Sequence, residues 1–441
     1  MNHKKTLFLA LALATATAAS GQTNGSNSPY SRYGFGLLAD RAQSFNKGMA
    51  GTGYGFRSGS EINSKNPAAY SALDSLSFIF DAGVSLQTAN FNDGPNSTNA
   101  QNTSIDYLTA GFRLAKNLGM TVGLMPYSTV GYNMSNNYLQ KGEAGNYLEY
   151  TETNKGDGGI HEAFAGIGWR LGGPVSLGVN AGVLWGNITN TITNSFSDGV
   201  TNSLRRQYSM NMRTYKIDFG LQIHQPINER HTLTLGLVYG LGHNVNNNSK
   251  LYNQTLNTSG TVLTSDTVVA HNAYGLPHTF GVGLNWTFRQ RLNIGVDYTL
   301  EKWSDVNFPV LNADNEYVAS RSALTDRHSF SVGLEYMPNP DGYRYAHHIR
   351  YRAGFGYSTG YAKTQSNSST GTWTSAPRSY TATVGVGIPI ANRFNNRSVL
   401  SISGQYERVQ PTGLNTIKEN YFRLCIGLTF NEAWFMKRKI D

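Results

Sequence analysis

The chain has 441 residues, a formal charge of +9, one Cys, 48 Gly, 39% apolar residues and only 14% charged residues. A soluble chain carries about 25% charged residues, and a disordered chain lacks the 12% aromatic content found here. The single Cys425 excludes a disulfide scaffold or Cys-rich metal site, and past the leader no apolar run reaches the roughly 20 residues of a membrane helix.

At the start, Lys4 and Lys5 precede an apolar run over 7–14 and small residues through Gly21. This is the pattern of a secretory signal peptide over 1–21, with cleavage after Ala18 or Gly21. The two lysines and the end group Lys437, Arg438 and Lys439 carry part of the positive charge. What remains is diffuse, without the basic run of a nucleic-acid binder. Residues 22–76 are rich in Gly, Ser, Tyr and Asn and have no strong period.

From residue 77 the pattern changes to strict alternation, which places every second side chain on one face of a strand. Phe78, Phe80, Ala82, Val84 and Leu86 form the first apolar row. Thirteen more begin near Leu108, Met120, Ala163, Val175, Tyr215, Leu233, Phe280, Leu292, His328, Ile349, Tyr380, Leu400 and Phe422. The opposite face carries Gly, Ser, Thr, Asn and charged residues such as Lys216, Asp218, Asp297, Arg350 and Arg352. A soluble sandwich with an apolar core and a membrane barrel with an apolar exterior both produce this alternation.

The intervals between rows separate the two. Long polar stretches, such as 90–102, 187–213 and 244–278, alternate with short ones, such as 115–119, 172–174 and 289–291. Outer-membrane barrels alternate long outer loops with short periplasmic turns, and their strand number is even. The sequence therefore predicts an all-β, 14-stranded antiparallel transmembrane barrel over 77–430, in the cell outer membrane, with a periplasmic tail over 431–441. Trp169, Trp185, Trp286 and Trp303 fall near row ends, where an interfacial aromatic girdle belongs.

Ahead of the first row stand Lys47-Gly48-Met49-Ala50-Gly51 and Asn66-Pro67-Ala68-Ala69. Leu276-Pro277 leads into Phe280-Gly281-Val282-Gly283-Leu284, and Gly385-Val386-Gly387-Ile388-Pro389 comes later. In this order these motifs resemble the FadL/TodX family of outer-membrane transporters for hydrophobic compounds, in a Bacteroidetes style. The resemblance implies a luminal plug over 22–76, with Gly48, Gly51, Asn66, Pro67 and Ala68 as its signature. It also implies uptake of long-chain fatty acids or similar small molecules by lateral diffusion through the wall. The family opens at a kink in its third strand, so the resemblance places the lateral opening at Pro126 of the third row, where the missing N–H removes one ladder bond. The stretch 51–66 is polar, with Arg57, Glu61 and Lys65. A PorV-like, non-transporting barrel subunit or scaffold of a secretion or protein-assembly machine is the alternative.

Inward charges in a lumen need partners. Closing the barrel makes the first row a neighbour of the second and the last, so Asp81, Arg113 and Arg423 are expected to form a luminal ion group. Enzyme signals are poor. Gly356-Tyr357-Ser358-Thr359-Gly360 has the letters of a nucleophile elbow, but no His follows it. His347-His348 lacks metal-ligand spacing. No catalytic site, metal or cofactor is expected, and the expected partners are membrane lipid, a hydrophobic ligand, or subunits of an outer-membrane machine.

Overall fold

A computed structural model describes residues 26–141, 147–312, 314, 316–365, 373–390, 398–412 and 417–433. The expected signal peptide and all but the first residues of the expected tail lie outside them.

Every alternating row is a strand. They are β1 (Ser77–Asn92), β2 (Ser97–Ala115), β3 (Leu118–Lys141), β4 (Tyr147–Gly172), β5 (Val175–Phe196), β6 (Ser203–Pro226) and β7 (His231–Gly240). Then come β8 (Thr279–Phe288), β9 (Leu292–Glu301), β10 (Arg327–Tyr336), β11 (Arg350–Thr359), β12 (Arg378–Ile390), β13 (Ser398–Gln410) and β14 (Lys418–Ala433). Each pairs antiparallel with the next, and β14 returns to β1, with Phe80 opposite Phe430. The result is a closed, 14-stranded barrel. Closure leaves no strand edge within the apolar band, the condition for crossing a bilayer with sheet.

The period-2 pattern decides which face is which. Leu86, Leu124, Ile167, Val183, Phe219, Phe280, Val384 and Phe422 point outward and are exposed. Asp81, Thr121, Asn180, Gln222, Asp297, Glu335 and Thr429 alternate with such residues and are buried. A continuous exposed apolar band around a whole barrel far exceeds the few hundred Å² that soluble surfaces carry. Lipid is the solvent that such an exterior requires.

Short turns mark the lower rim, where both ends of the barrel lie. The two glycines of the β4–β5 turn, Gly172 and Gly173, have φ of +141° and +55°, open to them because they lack a Cβ. At the upper rim the structure corrects the expectation of long loops. Several polar intervals are strand rather than loop. β1 and β2 pair as far as Asn92 and Ser97, and β3 and β4 pair to Lys141 and Tyr147. At about 3.3 Å per residue the 24 residues of β3 run to roughly 80 Å, against about 25 Å for an apolar band. The hairpins therefore extend well beyond the apolar band. A further hairpin, Ser249–Leu256 with Val262–Ala270, adds to the upper part of β6.

These projections have their own apolar core. Val130, Ile160, Leu184, Met212, Leu251, Tyr274 and Trp303 cluster there with Phe35 from the N-terminal segment. Trp303 is fully buried in it, so it is no part of the interfacial girdle expected from its position near a row end. Its indole packs on Phe35 and Tyr361, with ring centroids 5.6 and 4.7 Å away. Trp169, by contrast, is 54% exposed, as a girdle residue is.

Candidate functional site in the barrel lumen

The inner face of the wall is unusually poor in side chains. Gly119, Gly168, Gly178 and Gly220 lie opposite one another on β3, β4, β5 and β6. Gly295, Gly333 and Gly354 do the same on β9, β10 and β11. Glycine weakens a strand and usually marks a close approach of backbone. Here the approaching backbone is the N-terminal segment. A Cβ on Gly119 would lie 1.9 Å from the Tyr70 carbonyl oxygen, and one on Gly178 would lie 2.3 Å from the Pro67 carbonyl carbon. A Cβ on Gly354 would meet the Met49 carbonyl carbon at 2.3 Å, and one on Gly427 the Ser44 Cβ at 2.3 Å. The segment thus follows the inner wall from β14 round to β3, strand by strand.

The Asn66-Pro67-Ala68 motif lies on the first glycine row. Pro67 opens a short 3-10 turn, Pro67–Ala72, as its fixed φ favours. The Asn66 side chain accepts from Ala68 N (3.1 Å) and donates to the carbonyls of Tyr54 (2.9 Å) and Leu221 (3.2 Å). It caps the turn and ties it to both the segment and β6. Gly48 lies against Gly385 and Arg352, and Gly51 adopts a φ of +76°. These signature residues are contact and turn positions.

Charge adds to the close fit. Arg41 reaches Glu162 on β4 (3.3 Å) and Asp218 on β6 (3.2 Å), and Lys216 bonds both carboxylates. Lys47 meets Asp40 (3.0 Å) and Asp106 on β2 (3.3 Å). Asp297 on β9 accepts from the backbone N–H of Gly53 (2.7 Å) and Tyr54 (3.0 Å), with Lys65 Nζ at 3.9 Å. Glu61 bonds Arg350 (2.5 Å) and Arg352 (2.9 Å), and Arg352 continues to Glu335 (2.7 Å). Arg57 donates to Ser176 and Gln222. Buried charges persist only when paired and hydrogen-bonded. The pairs made by Arg41, Glu61 and Lys65, and that of Lys47 with Asp106, run from segment to wall.

The expected ion group of Asp81, Arg113 and Arg423 does not form. Asp81 accepts from the hydroxyls of Ser44 (3.0 Å), Tyr107 (3.1 Å) and Thr429 (3.2 Å). Arg423 pairs with Glu407 (2.5 Å) and bonds Gln87 (2.6 Å). Register is the reason. Asp81 stands opposite Thr109 and Thr429, while Arg423 stands opposite Gln87, six residues along β14. That is roughly 20 Å at strand spacing. Arg113 is displaced the other way and makes no ion pair among the described residues.

At Pro126 the wall changes. β2 and β3 pair from Ala115 and Leu118 up to Leu108 and Leu124, and there the pairing ends. Above this level β2 stays with β1 and β3 stays with β4, whose ladder has an irregularity between Pro126 and Ser128. Residues 26–39 stand in the break. Leu37 and Leu38 pair with Thr129 and Ser128 of β3, and Ala39 N donates to the Tyr127 carbonyl (2.9 Å). Ser26 donates to the Gly131 carbonyl (3.0 Å), and Asn27 reaches Asn102 of β2 (3.0 Å). Ser28 donates to Glu419 (2.7 Å) and Tyr30 to the Ile417 carbonyl (2.6 Å).

Between this strap and the glycine-lined level is a cavity of about 500 Å³. Leu37, Leu38, Met125, Pro126, Tyr127, Leu276 and Phe330 give it apolar patches. Arg41, Lys47, Lys216, Arg327, Asp106, Asp218, Glu301 and Glu407 also line it, and their charges are paired with one another or with neighbours. Among the described residues no group of His, Cys, Asp and Glu could hold a metal ion. Ser358 of the Gly-x-Ser-x-Gly string lies on β11, in a strand rather than at a strand-to-helix turn.

The sequence reading did not assign roles to Arg41, Lys47, Glu61 or Glu162. The polarity of 51–66 was the available signal for Glu61. The strap at 26–39 has no sequence signature.

Solved structures similar to the chain include the CymD monoaromatic hydrocarbon channel (14% identity, 91% of this chain and 100% of that one, TM-score 0.58). A Pseudomonas aeruginosa FadL homologue matches at 14% identity over 90% and 99% of the two chains, with a TM-score of 0.58. The Ralstonia pickettii toluene transporter TbuX matches at 12% identity over 91% and 100%, again with a TM-score of 0.58. At these identities the likeness is one of fold. No curated protein matches the chain. The family expected from the motifs therefore holds for architecture, while the matching family model is a different one. The BamG model spans residues 3–441, and the chain belongs to the BamG family.

Proposed function

We propose that this protein is an outer-membrane barrel that serves as a non-transporting structural subunit of protein-assembly machinery. The observation that carries the reading is the seating of the N-terminal segment against the inner wall, and in this reading the segment is a fixed plug. Inward glycines admit its backbone against the wall, and Glu61, Arg41 and Lys47 make ion pairs with several strands. A plug held by buried pairs stiffens the wall and favours a scaffold over a conduit, because each pair broken in moving it leaves an uncompensated charge. The BamG family name points to the same assembly-related role. The upper hairpins, with a packed core of their own, give such a subunit a large surface above the membrane.

Extraction from native membranes in a mild detergent tests this reading. A stoichiometric complex with other outer-membrane proteins is the expected result. A lone monomer carrying co-purified lipid would overturn it.

A second reading is uptake of hydrophobic small molecules by lateral diffusion. It is favoured by the wall break at Pro126 and by the cavity that reaches it. Reconstituted barrel that transfers a labelled fatty acid between vesicle populations would support this reading over the first.

A further inference from the structure

The upper border of the apolar band carries a row of three outward side chains on successive strands. His161 of β4 is opposite Trp185 of β5, and Trp185 is opposite Arg213 of β6. Directly opposed residues of antiparallel strands lie about 5 Å apart and share a face. Imidazole and indole are contiguous, with the His161 and Trp185 ring centroids 6.0 Å apart, and Arg213 is the next residue of the same row. The next outward row below is Ala163, Val183 and Tyr215, which belongs to the lipid-facing band. The next row above is Gly159, Asn187 and Asn211. It offers amide donors and, at Gly159, no side chain.

We propose that His161, Trp185 and Arg213 form a binding site for the phosphate-bearing headgroup of an anionic membrane lipid. Arg213 is exposed and makes no ion pair among the described residues, and neither adjoining row supplies a carboxylate. Arg213 shares an outward face with Tyr215 two residues along β6, so its aliphatic stem borders the apolar band and its head can extend toward headgroups, the placement that long basic side chains adopt at a bilayer surface. Guanidinium matches phosphate geometry through paired N–H donors. Trp185, 39% exposed, supplies the amphipathic ring that lies at the same depth. The acyl chains of a lipid held there would run down over Val183 and Ile217 of the band. A lipid is thus the occupant that satisfies both the charge above and the apolar surface below, and free phosphate satisfies only the first.

The same border continues round the wall with paired imidazoles and aromatic rings. His243 stacks on Tyr215 at 4.1 Å, and Tyr239 and Tyr298 hydroxyls lie 2.9 Å from His278 and His328. These ring pairs hold one another in place near the top of the apolar band and extend polar groups along it beyond the three-residue site.

The test uses the full barrel in nanodiscs of phosphatidylcholine alone or of phosphatidylcholine mixed with phosphatidylglycerol. Thermal unfolding midpoints are read by intrinsic fluorescence. The wild type is expected to unfold at a higher temperature in the mixed discs, and Arg213→Gln is expected to lose most of that gain. Arg170→Gln, at the lower border, should keep it. Inorganic phosphate added to phosphatidylcholine discs should not reproduce it. Equal midpoints for the wild type in both discs, or an undiminished gain in Arg213→Gln, would overturn the proposal. So would a full gain from inorganic phosphate alone. Native mass spectrometry provides an independent readout on the wild type and, where it folds, the variant. Preferential retention of phosphatidylglycerol, weakened about fivefold in Arg213→Gln as expected for one basic group at a membrane surface, is the supporting result, and equal retention of the two lipids is the opposing one.

Discussion

Glu61 of the N-terminal segment and Arg352 of β11 meet at 2.9 Å, and each side chain is only 1% exposed. Arg352 also holds Glu335, and Glu61 also holds Arg350, so two carboxylates and two guanidiniums balance within the wall. The segment supplies one member of this group and the barrel supplies three. Removal of the segment's member leaves excess positive charge where water is scarce.

Glu61→Gln should therefore destabilise the barrel by about 3–5 kcal/mol, the usual cost of breaking a buried pair from one side. The double variant Glu61→Gln, Arg352→Met should recover part of the loss, because the orphaned charge is gone. Urea titration of the reconstituted barrel measures both. A double-variant loss equal to the sum of the losses in Glu61→Gln and in Arg352→Met alone would show that the pair is not coupled.

Gly236 of β7 faces the Tyr54 carbonyl, where an added Cβ would lie only 2.0 Å away. Gly236→Val should push the N-terminal segment off the wall and expose it to limited proteolysis. Gly404 is the control, since a Cβ there meets only Val384, at 4.0 Å. Gly404→Ala should leave the digestion pattern unchanged.

Leu38 and Ser128 are register partners between the strap and β3. Antiparallel partners have Cα atoms about 4.5–5.5 Å apart, within the range a disulfide spans. Leu38→Cys with Ser128→Cys, in a Cys425→Ser background, should cross-link on mild oxidation without unfolding the barrel. Under the transport reading the oxidised form fails to transfer a fatty-acid probe and the reduced form succeeds. Under the structural reading neither form transfers it. A fluorescent fatty acid in a vesicle assay separates the two.

In the connection between β9 and β10, Asp326 accepts from Ser304 N (3.0 Å) and Lys302 Nζ (2.5 Å). Partial burial acts to raise its carboxyl pKa, but the bonds from Lys302 and Ser304 outweigh this and hold it below the ordinary carboxylate value. A carboxyl whose folded pKa is depressed adds stability above its unfolded pKa and loses it as pH falls through the folded value. The turn at Trp303–Asp305 should therefore loosen below about pH 4, the unfolded value of an Asp. The effect should be small because solvent screens the pair. The protection of the Ser304 amide, its exchange measured against the intrinsic rate at the same pH, should fall on acidification in the wild type. In Asp326→Asn it should be low already and flat with pH.

Much of this was legible in the residues. The row from Phe78 to Leu86, and its thirteen successors, alternate so strictly that one face of every strand had to be apolar. Even the fourteen-strand closure followed from counting rows. Exposed Val183 and buried Asn180 each lie on the face that their parity assigned. Trp303 shows where parity and position fail. It falls near a row end, as Trp185 does, yet Phe35 of the N-terminal segment and Tyr361 pack over it.

The luminal contacts were legible only in kind. Asp81 and Arg423 are on adjacent strands and both face inward, which alternation dictated. Whether they touch depends on stagger, and six residues of register separate them. Inward glycines such as Gly168 and Gly178 are visible as letters, but only the fold shows that Pro67 lies against them.

What the sequence determined by itself is local: the period of two, the sign of each face, and the alternation of tight and extended intervals. These follow from bonded geometry and from solvent preference, and need no knowledge of neighbours. Only the tertiary structure decided that Glu61 reaches Arg352, that Leu37 and Leu38 stand in the wall break above Pro126, and that His161, Trp185 and Arg213 form one row. Each of these joins residues distant along the chain or on different strands, and their meeting is set by barrel closure, strand register and the path of the N-terminal segment. Those are properties of the whole wall, and no window of residues contains them.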